Sequence, residues 1–243
     1  MKKLNPNILG IITARGDSKR LPGKNIKPFH GKPLLAWSIE VGKNANCFDH
    51  FILSTDDDDI AAVGKEYCID VPFMRPAELA TDTAGSFEVV KHAVEWMRDN
   101  KQYNADWVVL FEPTAPGRQA SHVIDVVQLI KEYGNHIDSI VGISKIPAHF
   151  SPYKSLVFTE DDLVASIDGT KVKNFIHRNQ NISPTYYINS AIYAFRVANF
   201  YTEDPSLWGD LTKGYLMDEK YAFDIDTPDD WDVATIKMKK LLT

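Results

Sequence analysis

Residues Ile8-Leu-Gly-Ile-Ile-Thr-Ala-Arg-Gly-Asp-Ser-Lys-Arg-Leu-Pro-Gly-Lys-Asn25 decide how this chain is to be read. The first seven, Ile8 to Ala14, form a continuous apolar run, as a strand buried on both faces requires. Directly after it comes a loop that packs Arg15, Lys19, Arg20 and Lys24 together with two glycines and a proline. A buried strand leading into a basic, glycine-containing loop is a place where backbone N–H groups and cations can meet phosphate oxygens. The spacing is not that of a P-loop, because GxxxxGK[ST] is absent. The bland alternative is a solvated basic loop; its position after a buried strand, with Gly and Pro fixing the backbone, favours a functional one.

Working outward, short apolar runs alternate with helical patterns. Pro33 to Asn44 reads as a helix opened by proline, His50 to Thr55 as a strand, and Asp57 to Tyr67 as a helix with acids in its first turn. Gly85 to Asp99 is an amphipathic helix, Asp106 to Phe111 a buried strand, Ser121 to Glu132 a helix and Asp138 to Ile143 a strand. Strand–helix alternation of this kind predicts an α/β fold with a mostly parallel sheet and helices on both faces. In such sheets ligands bind beyond the carboxyl ends of the strands. From about 145 to 185 the pattern breaks into an irregular, proline-bearing excursion: an active-site flap, an oligomerisation arm or a surface excursion. Regularity returns at Tyr186 to Arg196. A last strand is predicted over Tyr221 to Ile225, and a C-terminal helix from Pro228, with Thr227 and Asp230 resembling a capping box.

Composition narrows the class. With 243 residues, 44% of them apolar, one α/β domain over 1–243 has ample core material. There are 27 basic and 33 acidic residues, a net charge of −6, which argues against non-specific nucleic-acid binding. No stretch approaches the ~20 apolar residues of a membrane span, and the N-terminal apolar run is too short for a signal core; the chain reads as cytoplasmic. Cys47 and Cys68 make no disulfide framework and are expected to be buried or inert. The seven histidines show no zinc-site spacing. Asp56 to Asp59 reads as a solvated helix start. Trp96, Trp107 and Trp231 are assigned to core and helix packing, and Trp37 to a place under the basic loop. His149, Phe150, Tyr153 and His177 sit in the irregular excursion, as ligand contacts or subunit contacts.

The second chemical feature is Phe223-Asp-Ile-Asp-Thr227. Side chains two apart on an extended chain share a face, so Asp224 and Asp226 can converge as hard oxygen ligands for Mg²⁺. Alone this pair is weak, since one member could simply cap the following helix. Together with a loop able to hold a triphosphate, it supplies what attack at an α-phosphorus needs: positioning and charge neutralisation.

These residues resemble the acylneuraminate cytidylyltransferases, the CMP-sialic acid synthetases. The resemblance rests on Ala14-Arg-Gly-Asp-Ser-Lys-Arg-Leu-Pro-Gly-Lys-Asn-Ile26, Ser54-Thr-Asp-Asp57, Arg75-Pro-Ala-Glu-Leu-Ala80 with Asp82-Thr83, Glu112-Pro-Thr-Ala-Pro-Gly-Arg118, Asn189-Ser-Ala-Ile-Tyr193 and Phe223-Asp-Ile-Asp-Thr227, in the same order over nearly the whole chain. It implies a three-layer Rossmann-like nucleotidyltransferase fold with a dimerisation excursion. It further implies a homodimer that binds CTP and an acidic nine-carbon sugar, with Mg²⁺ as cofactor. Arg15, Ser18, Lys19, Lys24 and Asn25 would hold the CTP phosphates and ribose, with Lys24 on the α-phosphate. Arg75, Ala84 and Ser86 would meet cytosine, and Asp224 and Asp226 would bind the metal. Lys24, Arg15, Asp224 and Asp226 form the catalytic set. Glu112, Lys154, Tyr187 and Asn189 fall on the sugar side, with Lys154 reaching a partner subunit's site.

Two departures lie on that sugar side. The family usually has Gln-Pro-Thr-Ser-Pro-Leu-Arg where this chain has Glu112 to Arg118, and an ionised Glu112 accepts hydrogen bonds but donates none. It would also repel a sugar carboxylate, which points to a held proton, a different sugar pose, or a substrate bearing an amino group. The family often reads Tyr-Arg-Pro-Asn where this chain has Tyr186-Tyr-Ile-Asn189, so a cation is missing there. Three rivals stay open: an eight-carbon 3-deoxy-octulosonate enzyme, a DxD glycosyltransferase, and a catalytically dead nucleotide-binding regulator.

Overall fold

The alternation of buried strands and amphipathic helices closes into a six-stranded sheet in the computed structural model, which describes residues 5–167, 169, 171–174 and 183–243. Among these, the strands are β1 (Ile8–Thr13), β2 (Pro28–Phe29), β3 (Lys32–Pro33), β4 (His50–Ser54), β5 (Trp107–Phe111), β6 (Ser139–Lys145), β7 (Leu156–Phe158), β8 (Val164–Ser166), β9 (Tyr186–Arg196) and β10 (Thr212–Leu216). The α-helices are α1 (Leu34–Ala45), α2 (Asp58–Glu66), α3 (Ser86–Lys101), α4 (Ala120–Tyr133) and α5 (Pro228–Leu242). The main sheet runs β10-β6-β9-β5-β1-β4. β1 pairs in parallel with β4 and β5, and β10 in parallel with β6, whereas β9 is antiparallel to both β5 and β6. The sheet is therefore mostly parallel, as the alternation predicts.

Burial on both faces explains the unbroken apolar run of β1. Ile8 and Ile12 join one core with α1, α2 and α4, while Leu9 and Ile11 join a second core with α3. Each fully buried Ile or Leu contributes about 1.5–3 kcal/mol relative to exposure. Gly10 is required by packing, since a Cβ there would lie 2.7 Å from the Phe51 ring and 2.8 Å from that of Phe48. β1 has β4 on one side and β5 on the other, so the chain reverses direction across the sheet here. That makes the carboxyl end of β1 the switch point where a crevice opens.

One expectation needs correction, and two others gain detail. Tyr221 to Ile225 is not a strand; the edge strand is β10, whose Thr212-Lys-Gly-Tyr-Leu216 carries too few apolar residues to be read as one. Residues 221–225 stay outside the sheet because their backbone docks on the loop after β5, with Ile225 N–H donating to the Thr114 carbonyl at 2.9 Å. The period-two alternation nevertheless holds. Phe223 and Ile225 enter a third core with Leu21, Phe29, Leu34, Ala234 and Met238, against which Trp37 and Trp231 pack. Cys68 is exposed rather than buried, and Cys47 is half-buried, its thiol pushed up to about 11 by burial. Finally, the irregular excursion contains a hairpin, β7–β8, with exposed apolar side chains at Phe158, Leu163 and Ile167. His177 lies outside the described residues.

The end of the molecule forms as read. Thr227 Oγ1 accepts from Asp230 N–H at 3.2 Å and Asp230 Oδ2 accepts from Thr227 N–H at 2.8 Å, a reciprocal cap on α5. Trp107 is buried in the first core and Trp96 packs on the second.

Asn189 has a structural job in this sheet. It is buried, donates through Nδ2 to Ser144 Oγ at 3.0 Å, and accepts from Ala191 N–H at 3.1 Å. These bonds close the register shift between β6 and β9, where Ser190 takes a left-handed φ of 57°. Gly142 makes room, since a Cβ there would meet Asn189 Oδ1 at 2.6 Å. Asn189→Ala leaves a buried N–H unpaired and is expected to cost about 1–3 kcal/mol, read from urea unfolding; an unchanged midpoint would refute this role.

Candidate active site

The basic loop after β1 is held rigidly at the switch point. Ala14 N–H donates to the Ser54 carbonyl at 3.1 Å, and Leu21 anchors the loop in the third core. Gly23 has a φ of 65°, a left-handed conformation that favours glycine, and turns the chain into a 3₁₀ turn at Lys24–Ile26. The chain's own packing thereby buries Lys24 and Asn25. Asn25 Nδ2 donates back to the Arg15 carbonyl at 3.0 Å and fixes the loop's width.

Above this loop lies an open cavity of about 700 Å³. Arg15, Ser18, Lys19, Arg20, Lys24 and Asn25 line one wall; Arg75, Asp82, Ala84 and Ser86 line another. Glu112, Thr114, Asp224 and Asp226 complete it. Of the fourteen residues nominated from the sequence, the structure brings together eleven here and leaves out Lys154, Tyr187 and Asn189. Asn189 is committed to the sheet. Tyr187 lies near the start of β9, 39% exposed, and Lys154 ends a 3₁₀ turn in the excursion.

Charges from both ends of the chain meet in the cavity. Lys24 Nζ donates to the Ile225 carbonyl at 2.8 Å and to Asp226 Oδ1 at 2.9 Å. Arg20 Nη2 pairs with the other oxygen, Asp226 Oδ2, at 3.1 Å. Across the mouth, Asp82 pairs with Arg15 Nη1 at 3.1 Å and contacts Lys19. The hydrogen bond from Lys19 holds the Asp82 carboxyl below its ordinary range, and Asp82 in turn raises the Lys19 ammonium. These surface pairs are weak individually, so an incoming polyanion can exchange with the carboxylates.

Asp224 and Asp226 fit a divalent cation. Burial, followed by the charge of Asp226, raises the Asp224 carboxyl against the opposing hydrogen bond from Thr114. Asp226 already pairs with Lys24 and Arg20, and a hard cation would take over that neutralisation and extend it to Asp224. No group of three or more acidic, His or Cys side chains forms a metal cluster among the described residues. The remaining ligands would thus be phosphate oxygens and water, the usual manner of Mg²⁺.

Three contributors are not evident from the sequence. Asp56 is not simply part of a solvated helix start: Asp57 caps α2 through Ile60 N–H, but Asp56 pairs with buried Arg75 at 3.1 Å. Its place just beyond β4, where such folds put chemistry, is the available signal. Asp82 stands within a motif that assigns it no role. Arg118 is wholly buried beneath the cavity, its guanidinium 4.7 Å from the Phe111 ring centroid. It donates to Ser38 Oγ at 3.0 Å, to the Glu112 carbonyl at 2.7 Å, and to the Ala191 carbonyl, locking the loop that presents Glu112. Burial lowers this guanidinium to about 9.

Comparison with known proteins places this geometry in context. A sequence profile described as cytidylyltransferase matches residues 9–207. The chain is 31% identical over 233 residues to a post-translational flagellin modification protein B of Campylobacter coli, covering 96% of this chain and 95% of that one. It is 32% identical over 238 residues to a CMP-N,N'-diacetyllegionaminic acid synthase of Legionella pneumophila, covering 96% and 97%. Its fold matches that of a CMP:2-keto-3-deoxy-manno-octonic acid synthetase complexed with CTP, with a TM-score of 0.69 at 15% identity over 97% of this chain and 99% of that one. At that identity the likeness concerns fold alone.

Glu112 yields a pH test. Burial first, then Asp224, pushes its carboxyl from the ordinary 4.5 up to about 7, against the pull of Arg118. An acid raised in the fold binds its proton more tightly there, so its stabilisation is full below the ordinary value and is lost as pH rises towards the folded one. The stability of Glu112→Gln relative to wild type should therefore grow by about 2–3 kcal/mol from about pH 5 to about pH 8 in metal-free urea titrations. A difference independent of pH would refute the shift.

Proposed function

The chain belongs to the cytidylyltransferase family, and from that premise we propose that it transfers CMP from CTP to the anomeric 2-hydroxyl of a nonulosonic, sialic-acid-like sugar acid, releasing pyrophosphate. The observation that carries this reading is the meeting, in one cavity, of the loop cations Arg15, Lys19, Arg20 and Lys24 with the carboxylates Asp224 and Asp226. The name of the Legionella relative supports a nine-carbon acidic acceptor.

In this mechanism the sugar hydroxyl oxygen attacks the α-phosphorus, the bond from that phosphorus to the bridging oxygen breaks, and pyrophosphate departs. The hydroxyl proton passes to solvent. Arg15, Ser18, Lys19 and Asn25 bind the phosphates and ribose. Lys24, already desolvated, turns its ammonium from Asp226 towards the α-phosphate, where charge develops. Arg75, Ala84 and Ser86 form the cytosine side. Asp224 and Asp226 would hold Mg²⁺, which supplies charge neutralisation when bound. Glu112 stands on the sugar side of the same cavity. Ionised, it accepts hydrogen bonds and donates none, and so would favour a modified sugar that presents a donor such as an amino group to it.

The same reading extends to assembly and place. The exposed apolar side chains of the hairpin, Phe158 at 79%, Leu163 at 66% and Ile167 at 67%, suit burial against a second copy. Such a homodimer would bring Lys154 to the partner's sugar side, with Tyr187 at the base of the arm. No helix among the described residues is long and apolar enough to cross a membrane, in keeping with action in the cytoplasm, where CTP is made.

Pyrophosphate release from CTP with Mg²⁺, assayed over a panel of nine-carbon and eight-carbon 2-keto sugar acids, is expected only with nine-carbon acids. Asp226→Ala should lower turnover by about 10²-fold or more. Release with eight-carbon acids alone would assign the rival octulosonate activity, and CTP binding without turnover would mark a dead enzyme. On the same panel, Glu112→Gln is expected to shift preference away from modified sugars and towards plain N-acetylneuraminic acid; unchanged preferences would remove Glu112 from sugar selection.

A further inference from the structure

Asp56 stands at a junction that the catalytic reading does not use. It comes directly after β4, where the loop after β1 and the segment leading to Arg75 come together. A single carboxylate oxygen, Oδ1, accepts from both sides: from Gly16 N–H at 3.2 Å and from Arg75 Nη2 at 3.1 Å. The Arg75 side chain is only 4% exposed, so this pairing acts where water screens little. The backbone reinforces the junction, with Arg75 N–H donating to the Thr55 carbonyl at 2.7 Å. Position 16 has no room for a side chain beside this contact, since a Cβ there would lie 2.5 Å from Asp57 Oδ2.

Arg75 is also incompletely satisfied. Its Nε is buried without a hydrogen-bond partner, and the residue lines the cavity. A buried donor left unpaired is costly, and the cavity is where an acceptor can arrive. An acceptor on a ligand's base would fix the guanidinium, the guanidinium would fix Asp56 Oδ1, and that oxygen would fix Gly16 N–H in the phosphate loop.

We propose that Asp56 is a positioning residue that couples the two halves of the nucleotide cavity, so that filling the base side pre-orders the phosphate side and the reverse. The proposal rests on the reading of this cavity as a nucleotide site. The ordering cost of the shared junction is incurred once for both halves, and linkage makes the coupling reciprocal.

The test uses two fragments of the nucleotide on the whole protein. Cytidine affinity is measured by calorimetry with and without saturating inorganic pyrophosphate. Wild type is expected to bind cytidine about fivefold more tightly when pyrophosphate is present. Asp56→Ala should still bind both fragments, with cytidine affinity indifferent to pyrophosphate. Should Asp56→Ala fail to fold, Asp56→Glu decides: it keeps a negative charge beside Arg75 but displaces the shared oxygen by one methylene, and must also lose the coupling. A structural role alone would lower melting temperature without removing the cooperativity between fragments. Absence of coupling in wild type, or its survival in the folded Asp56 variants, overturns the proposal while leaving the nucleotide reading intact. Failure of wild type to bind either fragment overturns both.

Discussion

A lysine ammonium taken out of water must find a partner, or the fold must give up the burial. Lys24 finds its partners in Asp226 and the Ile225 carbonyl, two hundred residues further along the chain. Almost everything at the site depends on this contact. It requires the basic loop to fold back over the end of β1, which Gly23 and Leu21 permit. It also requires residues 223–226 to lie extended beside the loop after β5, which Phe223 and Ile225 enforce by filling the third core. The ion pair and the apolar anchors are complementary: the anchors set the direction of the segment, and the charges set its register.

Much of this is legible in the sequence because the signals are local. Ile8 to Ala14 announces a strand buried on both faces. The helices α1 to α5 announce themselves by apolar spacing and by end residues such as Thr227 and Asp230. The alternation Phe223-Asp-Ile-Asp226 also places two carboxylates on one face correctly, although the backbone around them pairs with no strand. Alternation reports side-chain direction, which any extended segment has; it says nothing about which neighbour receives the backbone hydrogen bonds.

The features that sequence alone does not reveal depend on distant partners. β10 is an exposed edge, so its residues lack the apolar pattern that marks a strand. Asn189 looks like a polar site residue until the register shift between β6 and β9 shows that it is closing a defect in the sheet. Asp56 belongs to a run of acids in which three neighbours do what acids at a helix start ordinarily do; only the position of Arg75 in space separates it from them. Arg118 is an arginine in a loop motif by sequence, yet it is wholly buried beneath the carboxylate Glu112, and no local pattern distinguishes such a residue from a surface cation.

The distance in sequence between Lys24 and Asp226 has a consequence for how the protein is made. A ribosome delivers the basic loop about two hundred residues before Asp226, the carboxylate that pairs with Lys24 and Arg20. While the chain is emerging, β1, β4 and β5 have the strand partners they need, but the loop above them lacks the segment that completes its floor. The cavity is thus assembled in an order that adds one wall long after the other, and a nascent chain halted short of residue 226 has much of the scaffold but not the carboxylate that pairs with Lys24.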